Sequence, residues 1–150
     1  MSGFSKLLEP QFQIAGATFS IRKANAEVGF EILEKIRAAI ADPTAISRAT
    51  REDNTEREAG AELMKAVMSI SPEKVKGIRQ DLFALVDVKL PNTDRFVPLN
   101  EVKALIMDLI EPLDNYEIIV RAVAVNFTKS FRGLLSRLGL DRATDRTQDS

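Results

Sequence analysis

Residues 114–139, DNYEIIVRAVAVNFTKSFRGLLSRLG, constrain this chain more than any other stretch. Their spacing predicts one long helix with two unlike halves. From 118 to 125 it is apolar on every side except at Arg121, whereas from 126 to 138 only one stripe is apolar. A helix apolar all round must be enclosed by protein, and a striped one is covered on one side only. The first half is therefore expected to be the axis of the fold and the second half to reach its surface.

The chain is long enough to build that enclosure. Its 150 residues, 45% hydrophobic and 29% charged, suit one domain with a real core. It has no cysteine and no histidine, which excludes disulfides, thiolate zinc sites, cysteine nucleophiles and histidine-based triads. The first residues, MSGFSKLLEPQ, are interrupted by Lys6 and Glu9 and lack the apolar run of a signal peptide. No stretch approaches the ~18 uninterrupted apolar residues of a membrane span. A cytoplasmic protein with no membrane partner and no cofactor is expected.

An N-terminal arm (1–10) leads into period-two alternation at Phe12, Ile14, Phe19 and Ile21, the signature of a hairpin over 11–22. A turn at Gly16 and Ala17 suits type II′ and pairs Ile14 with Phe19; a turn at Ala15 and Gly16 shifts the pairing by two residues and keeps the same face. Alone such a hairpin is marginal, so its apolar face must pack on helices. Residues 25–139 read as the helical body. Asn25 caps a helix with Val28, Ile32, Leu33, Ile36 and Ile40 in its stripe, while Phe30 stands apart and is expected to meet the hairpin. After a polar connection at 43–54, Thr55 and Glu58 form a capping-box pattern. The helix they open carries Ala59, Leu63, Val67 and Ile70, with Met64 and Met68 beside them as core filler. Ser71 and Pro72 start a third helix, expected to touch the second. VDVKL at 86–90 alternates and, with Phe96 and Val97, forms a strand pair or an extended crossing. Asn100 is expected to cap a fourth helix over 101–111, with Val102, Leu105, Ile106, Leu109 and Ile110 inward and Pro112 as its stop. Asp114 caps the long helix, which ends at Gly139 or already at Gly133. Residues 140–150 form a flexible polar tail. The fold class is mainly α: a compact domain of about five helices with a small N-terminal β-hairpin.

Chemistry offers little. Asp108, Glu111, Asp114 and Glu117 lie close along the chain, yet caps and a solvated face account for them without a catalytic cleft. There is no glycine-rich phosphate loop and no calcium-hand spacing. Arg121, Lys129, Arg132 and Arg137 share a half-turn sector of the long helix, with no acid between 118 and 138. A positive face of this kind suits phosphate contacts, but four charges with no recognition module also fit the C-terminal half of a helix dipole. Arg121 is expected to snorkel outward or to pair with Asp108 or Glu111.

The order of these parts is informative. FQIAGATFSIRKA runs into AEVGFEILEKIRAAI, a small set of helices follows, and VNFTKSFRGLL closes before a polar tail. Over about 11–138 this layout resembles the tail assembly chaperones of long-tailed bacteriophages and prophages. The resemblance implies a non-enzymatic factor in the host cytoplasm that binds the helical tape-measure protein, helps tail-tube protein polymerise around it, and is absent from the finished virion. Many such factors are made in short and frameshift-extended forms. An exposed apolar surface serves that task, and Phe131, Leu134, Leu135 and Leu138 are the candidate partner-binding residues, with completion of the core as the competing reading. The hairpin edge is a second candidate and a route to homo-oligomers. The alternative function is a small nucleic-acid-associated regulator that uses the basic helix face. A charge at Val123 is expected to unfold the protein. A charge at Leu134 that leaves thermal unfolding intact but abolishes partner binding identifies a surface, and unfolding identifies core.

Overall fold

Asn25 opens the first helix of the computed structural model as its spacing requires: its Oδ1 accepts the Val28 N–H at 2.8 Å. The structure describes residues 7–40 and 56–138, apart from the side chains of 56, 57, 59 and 130–136. The start of the N-terminal arm, the 43–54 connection, the Thr55 cap, Gly139 and the tail at 140–150 lie outside the described residues.

Among these residues the elements run β1 (Gln11–Ile14), β2 (Ala17–Ile21), α1 (Ala26–Ala39), α2 (Glu56–Met68), α3 (Pro72–Phe83), β3 (Val86–Lys89), β4 (Val97–Pro98), a 3₁₀ turn (Leu99–Glu101), α4 (Lys103–Leu109) and α5 (Asp114–Arg137). The mainly helical class holds, with one enlargement. The hairpin is half of a four-stranded antiparallel sheet in the order β1-β2-β3-β4. The 86–97 stretch is thus a strand pair that docks on β2, placing Phe19 between Phe12 and Val88. Three strands or more solve the instability of an isolated hairpin.

The β1–β2 turn uses Ala15 and Gly16, both with positive φ (54° and 84°), as a type I′ connection demands. It therefore pairs Ile14 with Ala17 and Phe12 with Phe19, not Ile14 with Phe19. Either register buries the same face, so the apolar pattern alone cannot choose. The observed one stacks the rings of Phe12 and Phe19 with centroids 5.3 Å apart and puts Ala17 into the core.

The inward sheet face and all the long helices converge on α5. Ile118, Ile119, Val120, Ala122, Val123, Ala124 and Val125 are all buried, which confirms the enclosed first half. Enclosure also runs further than the apolar run, because Asn126, Phe127 and Thr128 are buried too. α2 packs on α5, and α3 packs on both α1 and α5, so α5 rather than the α2–α3 junction organises the helices. The remaining void among α1, α2, α3 and α5 is about 10 Å³, lined by residues such as Ile36, Leu63, Ile78 and Val123. A space this small and apolar is at the lower limit for holding one water.

Asn126 is the polar member of this axis. Its Oδ1 accepts the Ala24 N–H at 2.8 Å, and its Nδ2 donates to the carbonyls of Ala122 at 3.0 Å and Arg22 at 3.4 Å. One side chain thereby satisfies the extended 22–25 link between β2 and α1, which has no ladder of its own. At the surface, Lys35 reaches Asp81 at 2.6 Å and ties α1 to α3; the hydrogen bond to that carboxylate raises the Lys35 ammonium above its ordinary pKa.

Several local expectations are corrected. Phe30 is exposed and does not fill the core under the hairpin, and Val28 and Met68 are exposed as well. Asn100 lies inside the 3₁₀ turn, so it is not the cap of α4, which starts after Val102. Asp114 is not the cap of α5 either. Its Oδ2 accepts the Glu111 N–H at 2.8 Å, the back-bond of a third helical residue to its cap, with Pro112 in the favoured first position. The helix then passes through Gly133 to Arg137.

Replacing Asn126 with the similarly sized Leu is expected to cost about 1–3 kcal/mol in urea unfolding, because part-buried backbone groups at Arg22 and Ala24 lose their partner. An unchanged midpoint would show that the bracket is dispensable.

Candidate partner-binding surfaces

The four clustered acids do not form a cleft. Asp108 and Glu111 are exposed, Asp114 is occupied by its back-bond, and Glu117 is bound to Arg121 at 2.9 Å. Among the described residues no group of acids is arranged to hold a metal ion.

Arg121 departs from expectation in an instructive way. It pairs with an acid, but with Glu117 one turn back rather than with Asp108 or Glu111. Its guanidinium also lies 4.7 Å from the centroid of the Phe12 ring, and its side chain is only 19% exposed. The cation is therefore part of the seam between α5 and β1. It is withdrawn from the proposed basic face, of which Lys129 and Arg137 are exposed and the Arg132 side chain lies outside the described residues.

Of the four residues singled out from the sequence, Phe131, Leu134 and Leu135 sit on α5 with side chains outside the described residues, and Leu138 is 61% exposed. Of the hairpin's two edges, β2's is closed by β3, and β1 is the outermost strand of the sheet.

A surface missed by the sequence reading lies before α5. Leu105, Leu109 and Leu113 are 60%, 39% and 66% exposed. They recur every four residues along α4 and into the start of α5. Val102, Ile106 and Ile110 recur at the same interval one position on, and these three face the core. In the sequence, a short helix with two adjacent apolar rows reads as one broad stripe, which places Leu105 and Leu109 on that inner face. The signal that separates them is the continuation of the row across Pro112 to Leu113, where no inward position is needed. Glu101, Asp108 and Glu111, all exposed, rim the row.

Exposed apolar side chains of this size are a feature of surfaces that contact other proteins. The family described as Phage tail assembly chaperone protein, TAC, matches residues 15–138, and the chain belongs to that family. No curated protein and no solved structure matches it. Among the described residues no helix is long and apolar enough to cross a membrane.

Arg121→Met is expected to lower stability by about 1–2 kcal/mol through loss of the ion pair and the ring contact. Chemical denaturation checks this, and wild-type stability in the variant would remove Arg121 from the seam.

Proposed function

We propose that this tail assembly chaperone is a non-enzymatic holdase that binds the helical tape-measure protein, keeps it soluble, and supports polymerisation of the tail-tube protein around it without remaining in the virion. The observation that carries this reading is the exposure of Leu105, Leu109 and Leu113, three large apolar side chains close together along the chain. An amphipathic helix laid along such a row can bury each leucine for roughly 1–2 kcal/mol. Partner binding is also proposed for Phe131, Leu134 and Leu135 of α5 and for Leu138 just beyond it. The acidic rim of the leucine row favours a partner helix flanked by lysine or arginine.

Co-expression with the tape-measure protein of the same phage tests the reading. Soluble tape-measure protein is expected with the wild-type chain, and at least about fivefold less with Leu105→Gln, Leu109→Gln and Leu113→Gln combined, a loss of about 1 kcal/mol or more of binding. Thermal unfolding of the variant should stay close to wild type, since exposed substitutions each change stability by about 0.5 kcal/mol or less. Tape-measure protein that is equally insoluble with and without the chain would sink the proposal.

A further inference from the structure

Between the end of α2, the first turns of α3 and the start of α5 lies an open groove of about 440 Å³. Met68, Pro72, Val75 and Tyr116 give it apolar walls, and Lys76 and Arg79 add two cations. No acid lines it. Lys76 and Arg79 are three residues apart on α3, so they stand on one side of that helix, one turn from each other.

Arg79 is the unusual member. Its guanidinium carbon lies over the Phe83 ring, 5.6 Å from the centroid. Its Nε is shut off from solvent and has no hydrogen-bond partner. Neither Arg79 nor Lys76 is paired with an acid among the described residues, although the exposed Arg22, Lys35 and Arg37 all are. An arginine held over a ring, unpaired with any acid among the described residues and beside apolar surface, is suited to a carboxylate that arrives with its own apolar neighbours. Met68, an exposed large side chain on the rim, adds an adaptable contact.

We propose that this groove is a second docking site, for an apolar peptide segment of a protein partner that carries a glutamate or aspartate. The carboxylate meets Lys76 and Arg79, and the apolar side chains lie on Met68, Val75 and Tyr116. Charge complementarity selects this occupant. Among the described residues the groove presents two positive charges and no negative one, the reverse of the exposed leucines with Glu101, Asp108 and Glu111 near them in the chain. Tyr116 of the groove and the exposed Leu113 belong to one turn at the start of α5, where the Tyr116 N–H donates to the Leu113 carbonyl at 3.0 Å. The chain thus offers adjoining sites of opposite charge preference.

The test uses the full chain and a fluorescently labelled 14-residue amphipathic peptide with leucines on one face and glutamates flanking them, read by anisotropy. Counterparts with glutamine or lysine in place of glutamate serve as controls. The glutamate peptide is expected to bind at least about tenfold more tightly than either control. Lys76→Glu, an exposed position, should weaken it at least about fivefold with no change in thermal unfolding, and Arg79→Gln should weaken it likewise. The combined Leu105, Leu109 and Leu113 variant should bind it as wild type does. The proposal is overturned by equal binding of the three peptides, by no binding at about millimolar concentration, by indifference to Lys76→Glu, by loss in the leucine variant, or by displacement with an equal concentration of single-stranded oligonucleotide. Recovery of soluble tape-measure protein is measured separately, so the holdase reading stands or falls on its own result.

Discussion

The enclosure of α5 from Ile118 to Thr128 is the constraint on which the rest of this structure depends. Eleven consecutive residues of a helix can be kept from water only if neighbours approach from every side. The sheet supplies one side through Phe12, Phe19, Ile21, Val86 and Val88, and the helices α1, α2 and α3 supply the others. Ala122 and Ala124 are fully buried, and their small side chains let the surrounding elements come close. The single charge in the apolar run, Arg121, would be costly to bury alone. Glu117 and the face of Phe12 make it tolerable, so a strand residue 109 positions away is part of the solution.

The same logic explains why the first hairpin is no appendage. Its outward positions, Gln11, Gln13, Thr18 and Ser20, are polar, and its inward positions form a continuous row with β3. The link that carries the chain from β2 to α1 is too short for secondary structure, yet it passes against the axis helix. Asn126 resolves that conflict by giving an acceptor to Ala24 and donors to Arg22 and Ala122. Arg22 in turn binds Asp87 at 3.2 Å and the Ala84 carbonyl at 2.6 Å, fastening the hairpin to β3 and the end of α3.

Local signals were legible in the sequence where one principle acted alone. The α1 cap at Asn25, the proline start of α3, the alternation of β1 and β2 and the enclosed run of α5 all follow from near neighbours along the chain. What could not be read depended on distant groups. Whether 86–97 paired, and with what, is fixed by Phe19 and Val88, which are 69 residues apart. The turn at Ala15 and Gly16 was one of two equivalent choices until the Phe12–Phe19 stack decided it. Asn126 looked like the first polar residue of a surface half-helix, because its backbone partners come from residues 22 and 24. The leucine row was hidden for the opposite reason. Leucine spacing announces burial, and only the placement of Ile106 and Ile110 shows that the inner face was already full.

That last point bears on how the exposed row can exist at all. A helix of seven residues such as α4 has no stability in isolation, so its shape is imposed by the packing of Val102, Ile106 and Ile110. Pro112 then stops it, and the Glu111–Asp114 back-bond starts α5 in the same turn. Leu113 is thereby positioned by the beginning of the axis helix, while Leu105 and Leu109 are positioned by a helix that the core holds in place. The exposed leucines therefore owe their register to the buried core rather than to one another. The surface keeps its shape without the leucines having to bury themselves, which leaves them available to a partner.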